Sequence, residues 1–472
     1  MNREVLEYRV VDKEMKDLKK TNVISHVVTG KQRKGTGTHG EQQITKVVNG
    51  NEVLTEKLME RICARANLNR AYKQVRKNKG ASGVDGMTVD EMGKWIKKHK
   101  ETFVELLLTG TYKPQEVKKV EIPKTDGGKR QLGIPTVIDR LVQQAIAQIL
   151  NSILDKEFSE FSYGFRTGRN AHQALRQARK YVKEGFDVVV DIDIEKFFDC
   201  VNHDILMSKL EKRIKDKRLL RIIRRFLESG MMLQGVVINR EEGMPQGGNL
   251  SPMLSNLMLD ELDKELTKRG HKFCRYADDC NIYVRSHKAG ERVMISVRKF
   301  LEKRLRLKIN ETKSKVAKAC ECKFLGYNVL NDGRLVIAKE SIKRFKEKVA
   351  RLTKSTRGRS LEVVIKELNS LIQGWLGYYQ LTEYPSQPKA LDGWIRRRLR
   401  RYILKQKKRN WTIARYLIKL GVEAHSAWNT AKSSKGWWRL ANSPALHQAL
   451  NNAWFDDANL LSLFNRWEML KV

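Results

Sequence analysis

The segment Asp187–Asp193 alternates acidic residues with branched apolar residues, the pattern of a β-strand whose two faces differ. One face carries three carboxylates, those of Asp187, Asp191 and Asp193. Three like charges on one face repel each other and raise each other's pKa unless a cation neutralises them. The segment therefore predicts a divalent-metal site. A solvated edge strand is the alternative, but the branched apolar residues favour a central strand.

A second acidic pair, Asp278 and Asp279, lies between two short strand-like runs, 273–276 and 280–284. This arrangement indicates the tip of a β-hairpin, where a tight turn lets adjacent carboxylates reach one point. Together with an aspartate from the 187–193 strand, they would supply the hard oxygen ligands that suit Mg²⁺. Two such ions, about 3.5 to 4 Å apart, activate an attacking hydroxyl and stabilise a leaving phosphate oxygen. The chemistry predicted is phosphoryl transfer.

Two glycine-containing segments are the next candidates for binding residues. Pro245–Pro252 is a glycine-rich turn before a helix predicted to run to about Arg269, and its glycines let the backbone approach a ligand closely. No G-K-[ST] follows, so a base-pair contact is favoured over a phosphate loop. In Lys124–Arg130 a Gly-Gly turn separates two strand-like runs, and its flanking cations could bind a triphosphate. A solvated basic hairpin is equally compatible with this segment.

The elements that must position these residues fall into stretches that differ in composition and in predicted secondary structure. A polar leader precedes an N-terminal helical extension, in which one helix is expected from Leu54 to Lys79 with Gly80 as its left-handed cap. An α+β stretch follows, then a basic helical stretch, then a tryptophan-rich helical module. The boundaries expected for these five stretches are 1–54, 55–111, 112–338, 339–411 and 412–472.

Composition narrows the class of partner. The 472 residues include 93 Lys and Arg against 54 Asp and Glu, a formal charge of +39, so a polyanion such as nucleic acid is the expected partner. No apolar run approaches the roughly 20 residues that span a bilayer, and the first residues lack a secretory signal. The six cysteines contain no C-x-x-C pair, so neither zinc nor a disulfide framework is indicated. These features predict a cytoplasmic protein that binds no membrane.

Six blocks, read in order, resemble the group II intron-encoded reverse transcriptases, also called maturases. They are Ile122–Lys124, Ser162–Arg166, Asp193–Asp199, Pro245–Gly248, Tyr276–Asp279 and Phe324–Gly326. The resemblance covers about residues 57 to 472. It implies a right-hand polymerase fold of the α+β class, with fingers, a palm built on an antiparallel sheet with helices, a helical thumb and a small helical C-terminal module that binds DNA.

The resemblance also implies roles for individual residues. Asp193, rather than Asp191, becomes the third catalytic residue with Asp278 and Asp279. These three bind two Mg²⁺ ions, for which Mn²⁺ substitutes, and the backbone carbonyl of Ile194 is a further metal ligand. The implied nucleotide-binding residues are Lys124, Arg130, Phe198, Gln246, Lys313 and Lys315.

Within that set, Phe198 resembles the aromatic gate that selects deoxynucleotides, and Gln246 resembles the residue beside the incoming nucleotide. Either Lys313 or Lys315 would protonate the departing pyrophosphate, and the choice between them stays open. Two further sets follow from the resemblance. The primer grip would comprise Phe324, Leu325 and Gly326. The thumb would bind nucleic acid through Arg396, Arg397, Arg398, Arg400 and Arg401.

The function implied is that of an RNA-directed DNA polymerase that binds its intron RNA, assists splicing and copies the intron into DNA during retrohoming. Its partners would be the intron RNA, a DNA target, an RNA–DNA duplex and deoxynucleoside triphosphates, and dimerisation stays open. No paired C-x-x-C motif follows the last module, so target nicking is not expected. Two alternatives are a polymerase of the same fold serving defence or repair, and an RNA chaperone for splicing without polymerase activity. The intact aspartates, glycine-rich loop and gate disfavour the chaperone.

Overall fold

The computed structural model describes residues 56–123, 128–233, 236–238, 240–355 and 358–471. These residues form two compact units, one that ends at Lys318 and one that begins at Ala319. The leader expected at 1–54 lies outside the described residues. No helix in the described ranges has both the length and the apolar character required to traverse a bilayer.

The unit that ends at Lys318 contains helices and strands in alternation. Its helices are α1 (Leu58–Cys63), α2 (Arg65–Asn78), α3 (Met92–Leu108), α4 (Val137–Leu154), α5 (Ala171–Lys183), α6 (His203–Glu211), α7 (Lys217–Glu228), α8 (Ser251–Lys268) and α9 (His287–Phe300). Its strands are β1 (Val117–Pro123), β2 (Lys129–Ile134), β3 (Val188–Ile192), β4 (Met231–Leu233), β5 (Val236–Ile238), β6 (Lys272–Tyr276), β7 (Asp279–Val284) and β8 (Lys315–Lys318).

A four-stranded antiparallel sheet in the order β6-β7-β3-β8 carries the acidic segments. The strand predicted from 187–193 is central, as its branched residues indicated: Val188, Val190 and Ile192 are buried in the main hydrophobic cluster of this unit. Residues of β7 and of helices α8 and α9 belong to the same cluster. The apolar face therefore anchors β3 and leaves its carboxylate face for other contacts.

A second sheet has the order β2-β1-β4-β5. β1 and β2 form the antiparallel hairpin that the Gly-Gly turn predicts, and β1 also pairs in parallel with β4. Helix α4 follows directly, and its first turn is capped by the Thr136 side chain, which accepts from the Asp139 amide. The apolar residues that lie at helical spacing along one face of α4 are all buried, namely Ile138, Leu141, Ala145, Ile149 and Leu150.

The helix expected from Leu54 to Lys79 is two helices in its described part. Ala64, between α1 and α2, has φ −54° and ψ 133°, which breaks the hydrogen-bond ladder. The left-handed cap is Lys79, with φ 47°, and not Gly80. Gly80 has a packing role instead, because a Cβ there would lie 2.0 Å from Nη1 of Arg140.

The unit that begins at Ala319 is mostly helical. Its strands are β9 (Lys323–Phe324), β10 (Tyr327–Val329) and β11 (Leu335–Ile337). Its helices are α10 (Lys339–Leu352), α11 (Leu361–Tyr379), α12 (Ser386–Lys407), α13 (Asn410–Lys419), α14 (Ala424–Lys432), α15 (Trp437–Leu440), α16 (Pro444–Ala449), α17 (Asn452–Asp457) and α18 (Leu463–Met469).

Two contacts join the stretches expected on either side of residues 339 and 412. The Tyr378 hydroxyl on α11 donates to the Leu325 carbonyl at 2.8 Å, which ties the β9–β10 turn to the helices. The Asp392 carboxylate on α12 accepts from the Leu463 and Phe464 amides at 2.8 and 2.9 Å, which caps α18. The small strands, the basic helices and the tryptophan-rich module are therefore packed as one unit.

Candidate active site

The adjacent aspartates lie on the β6–β7 hairpin. Tyr276 pairs with Asp279, so Ala277 and Asp278 form a two-residue turn. Ala277 is buried and has φ +60°, although such turns favour glycine or asparagine at positive φ. A backbone held in this region persists where the surrounding contacts determine it. The turn brings Asp278 and Asp279 to one end of the sheet.

Asp193 follows directly after the central strand β3. Ile192 pairs with Cys280 of β7, so the next position in this register sets Asp193 opposite Asp279. Facing Cα atoms in an antiparallel pair lie about 4.5 to 5.5 Å apart. The Asp193 carbonyl accepts from the Asn310 amide at 2.8 Å, which fixes the backbone from a further segment. The register therefore places the backbones of the three predicted aspartates at the same end of the sheet.

The other two carboxylates of the predicted strand lie elsewhere. Asp191 lies one step down the sheet, between Asn281 of β7 and Lys315 of β8. Asp187 precedes β3 at its opposite end, about 20 Å from Asp193 at the rise of a β-strand. The geometry thus singles out Asp193 among the three.

The donor set suits a hard divalent cation, since carboxylate oxygens are the ligands that Mg²⁺ and Mn²⁺ take. Asp193 and Asp278 are half-buried and Asp279 is exposed, so solvent reaches all three. In the described part of the chain, no three His, Cys, Asp or Glu side chains already converge on one point. The donor chemistry and the backbone placement fit a divalent metal ion.

Ile194 is buried and forms an isolated bridge with Ile309. The two hydrogen bonds that flank this bridge use the Asp193 carbonyl and the Glu195 amide. The bridge therefore does not use the Ile194 carbonyl, which was predicted as a metal ligand.

The two candidate lysines differ in position. Nζ of Lys313 lies 3.9 Å from Oδ2 of Asp193, and the Lys313 side chain is 52% exposed. Lys315 is the first residue of β8 and lies opposite Asp191. Lys313 therefore lies beside Asp193, and Lys315 lies beside Asp191.

Phe198, the predicted gate, is half-buried in a short 3₁₀ turn, Phe197–Asp199. Its ring centroid lies 5.2 Å from that of Phe197 in an edge-on arrangement. Its carbonyl accepts from the Met244 amide at 2.7 Å, directly before the glycine-rich loop. These contacts link Phe198 to the loop that contains Gln246.

The glycine-rich loop and the residue directly before it make backbone hydrogen bonds with strand β2 and with the turn that contains Phe198. The Gln246 carbonyl accepts from the Gly133 amide of β2 at 2.8 Å. A Cβ at Gly247 would lie 2.6 Å from the Gly133 carbonyl oxygen, so only glycine permits this approach. Lys124 lies outside the described residues. Arg130 is in β2 opposite Ile122, and its side chain also lies outside them.

The predicted primer grip is a tight turn in the C-terminal unit. Phe324 pairs with Tyr327, and the turn residues Leu325 and Gly326 have φ 50° and 82°. The Gly326 carbonyl accepts from the Ser341 hydroxyl at 3.0 Å. The turn is therefore held by the helices of its own unit.

The five arginines predicted to bind nucleic acid all lie on α12 but do not share one surface. Arg400 is 4% exposed, and its guanidinium donates twice to the Leu450 carbonyl at 3.0 and 2.7 Å. Burial lowers its pKa to about 10. Arg400 therefore links helices, which corrects the expectation that it contacts nucleic acid.

Two more of these arginines make internal bonds. Arg398 donates to the Ala350 carbonyl at 3.0 Å and to the Thr353 hydroxyl. Arg397 donates to the Trp438 carbonyl and stacks on that ring at 4.2 Å. Arg396 and Arg401 are half-buried, and they remain the candidates on this helix for a phosphate contact.

Arg275, to which no sequence pattern gave a role, is fully buried on β6. Both nitrogens of one edge of its guanidinium bind the Asp263 carboxylate, at 2.7 and 2.6 Å. Burial by itself would lower the pKa of Arg275, but the Asp263 charge and hydrogen bonds outweigh it, so the pKa is raised. The signal in the sequence was a single charge within the otherwise apolar run 273–276.

An antiparallel sheet that gathers three aspartates at the end of a central strand and an adjacent hairpin defines the class of template-directed polymerases with a metal-binding palm. Residues 122–329 match the family described as reverse transcriptase (RNA-dependent DNA polymerase). Residues 342–417 match the maturase-specific domain of group II introns.

Individual proteins with similar sequences include intron-encoded proteins. Protein YkfC of Escherichia coli is 32% identical over 279 residues, which cover 51% of this chain and 73% of YkfC. The group II intron-encoded protein LtrA of Lactococcus lactis is 36% identical over 206 residues, 43% of this chain and 34% of LtrA. The COX1/OXI3 intron 2 protein of Saccharomyces cerevisiae is 27% identical over 353 residues, 61% of this chain and 41% of that protein.

The chain belongs to the group II intron-encoded reverse transcriptases with a maturase-specific domain. The resemblance of its six blocks and the expected polymerase fold are thereby confirmed. The reverse transcriptase domain identifies an RNA-directed DNA polymerase, a class of enzyme that uses a divalent metal ion.

Proposed function

We propose that the chain copies its intron RNA into DNA, with Asp193, Asp278 and Asp279 as the catalytic carboxylates, and that it assists splicing of the same RNA. The observation that carries the proposal is the register of β3 and β7. It sets Asp193 opposite Asp279 at a hairpin turn, within the residues that match the reverse transcriptase family. Retrohoming is the use of this activity that the family match favours.

In the proposed mechanism the three aspartates hold two Mg²⁺ ions, with Mn²⁺ as a substitute. When bound, these ions lower the pKa of the primer 3′-hydroxyl and neutralise charge on the departing pyrophosphate. The Ile194 carbonyl would supply a further oxygen ligand. This is consistent with the hydrogen bonds of the Ile194–Ile309 bridge, which do not use that carbonyl.

Other residues bind the nucleotide. Lys313 donates the proton that the departing pyrophosphate accepts, a choice supported by the 3.9 Å between its ammonium nitrogen and Oδ2 of Asp193. Phe198 closes against the ribose, and Gln246 lies beside the incoming base. Lys124 and Arg130 contact the triphosphate through charge-assisted hydrogen bonds.

The partner proposed for the C-terminal unit is the intron RNA. The match to the maturase-specific domain and the formal charge of +39 support it. Phosphate contacts would come from cations of this unit that solvent reaches, including the half-buried Arg396 and Arg401, while Phe324, Leu325 and Gly326 support the primer end.

Primer extension on an RNA template with Mg²⁺ tests the polymerase proposal. Wild-type protein should extend the primer, and Asp278→Ala should abolish extension. Asp187→Ala is the matched control. It removes a carboxylate that precedes β3, at the end of the strand opposite to Asp193, and it should keep activity. Equal activity in Asp278→Ala and wild type would refute the catalytic assignment.

Sequencing the RNA that co-purifies with Asp278→Ala tests the partner. One dominant structured intron supports the maturase role. A diffuse RNA population contradicts it and favours a general polymerase of the same fold.

A further inference from the structure

Arg275 uses its whole hydrogen-bonding capacity in the interior of the protein. A guanidinium has five N–H donors, and each of them has an acceptor here. Nε and one Nη2 donor bind the two Asp263 oxygens, and the second Nη2 donor binds the Ser162 hydroxyl at 2.8 Å. The two Nη1 donors bind Oδ1 of Asn256 at 3.0 Å and the Ala277 carbonyl at 2.8 Å.

The bond to Ala277 reaches the hairpin turn itself. The Ala277 carbonyl belongs to the peptide that joins Ala277 to Asp278, so its direction sets the plane from which the Asp278 backbone continues. Ala277 is held at φ +60°, a conformation that alanine rarely adopts without external contacts. Arg275 supplies one of those contacts.

A second contact reaches the same turn from the Gly164 backbone. Gly164 packs so closely that a Cβ there would lie 2.2 Å from the Ala277 amide nitrogen. The Asn256 side chain donates to the Gly164 carbonyl at 2.9 Å while it accepts from Arg275. The turn therefore contacts both the Arg275 guanidinium and the Gly164 backbone, and helix α8 binds both of these groups through Asn256 and Asp263.

Stability alone does not account for this arrangement. A buried ion pair often contributes no more to stability than apolar side chains of equal volume would, because desolvation offsets the attraction. What apolar side chains could not provide is a directed hydrogen bond to one carbonyl of the catalytic turn. Lysine could keep the charge beside Asp263, but its single nitrogen cannot reach all four partners of the guanidinium fork.

We propose that Arg275 is a positioning residue, which orients the Ala277–Asp278 peptide and so places Asp278 and Asp279 for metal binding. The inference rests on the proposed function, since it takes these aspartates as the metal ligands. Loss of the bond should leave the aspartates present but misplaced. Partners that orient metal ligands typically account for about 10- to 100-fold in metal affinity or activity.

The test compares Arg275→Lys with Arg213→Lys. Arg213 also pairs with a carboxylate of α8, Asp260 at 3.0 Å, and its other bonds go to Glu157 and the Lys209 carbonyl rather than to the turn. Mn²⁺ binding to the protein with a bound RNA template and DNA primer is followed by electron paramagnetic resonance. Arg275→Lys should weaken Mn²⁺ binding about 10- to 100-fold, whereas Arg213→Lys should not change it.

Hydrogen–deuterium exchange of the 276–279 amides gives a readout that needs neither metal nor activity. Exchange there should rise in Arg275→Lys and stay unchanged in Arg213→Lys. If Arg275→Lys does not fold, Ser162→Ala removes one acceptor of the same guanidinium and should raise the same exchange to a smaller extent. A folded variant with wild-type exchange at the turn and wild-type Mn²⁺ affinity overturns the proposal.

Asp278→Ala separates this inference from the proposed function. If Asp278→Ala binds Mn²⁺ as tightly as wild type, the assignment of the metal ligands fails, and the exchange at the turn still decides whether Arg275 positions it. If Asp278→Ala loses Mn²⁺ while Arg275→Lys keeps it, the aspartates are ligands and the positioning role is wrong.

Discussion

The contact between Gly164 and the hairpin turn can be perturbed with a single methyl group. A Cβ at Gly164 would lie 2.2 Å from the Ala277 amide nitrogen and 2.9 Å from the Tyr276 carbonyl carbon. Ordinary contact begins at 3.4 Å, so the turn or the Gly164 segment must move by 3.4 − 2.2 = 1.2 Å. Both neighbours are backbone atoms, which cannot move aside by side-chain rotation.

A displacement of this size at a catalytic turn has a large expected effect on rate. Misplacing reacting groups by about 1 Å can lower the rate about 100-fold. We therefore expect Gly164→Ala to lower kcat about 100-fold in primer extension, with affinity for the template–primer unchanged because the substituted residue adds only a methyl group.

Gly168→Ala is the matched control, since it makes the same change in the same segment. Nothing lies within 4 Å of a Cβ at Gly168, but its φ of +72° strains any other residue. Gly168→Ala should lower the melting temperature, by a free-energy cost of about 1 to 2 kcal/mol, and keep kcat. Wild-type kcat in Gly164→Ala, or an equal loss in both variants, would refute the reasoning.

Other variants and conditions test separate parts of the structure. Phe198→Ala should incorporate ribonucleotides more readily, measured as the ratio of kcat/KM for ribo- and deoxynucleotides; an unchanged ratio removes Phe198 from the gate role. RNA affinity should fall linearly with salt on logarithmic axes, and a flat dependence would contradict phosphate-driven binding. Arg400→Ala should lower stability by about 1 to 3 kcal/mol, because it leaves the Leu450 carbonyl unpaired, whereas Arg401→Ala should mainly weaken RNA binding and reduce the salt slope. Burial raises the pKa of Asp139 from 3.8 to about 6, so between these two values the folded state holds a proton that the unfolded state has lost. The free energy of unfolding should therefore fall by ~2 kcal/mol as pH rises from 4 to 7, and Asp139→Asn should flatten that slope in urea titrations.

The local elements of the fold were predictable because their signals are local. Alternation within 187–193 and the length of the link between β6 and β7 specify a central strand and a hairpin. The parallel pairing of Val117 with Met231 joins distant segments and has no counterpart in either local pattern. The break at Ala64 was missed for a similar reason, since its apolar neighbours continue a helical period on both sides.

The binding residues were predictable only as far as charge and spacing determine them. Lys313 and Lys315 have the same type and lie two residues apart, so only the tertiary placement of β8 against β3 distinguishes them. The sequence alone could have shown that not all five arginines on α12 are able to contact nucleic acid. Successive helical residues turn by about 100°, so the run from Arg396 to Arg401 must include positions on the buried side. Arg400 is such a position.

Arg275 shows what a sequence can indicate beyond a motif. A buried strand that leads into a catalytic turn cannot contain an unpaired guanidinium, because burying such a charge alone is too costly. The charge at 275 therefore requires buried acceptors from other segments of the chain, and Asp263 and Ala277 are two of them. Because one of them belongs to the turn itself, we expect changes that loosen the buried network to loosen the backbone that carries Asp278 as well. In this proposal the aspartates supply the negative charge that binds the metal ions, and the buried Arg275 sets the orientation of the peptide that carries them.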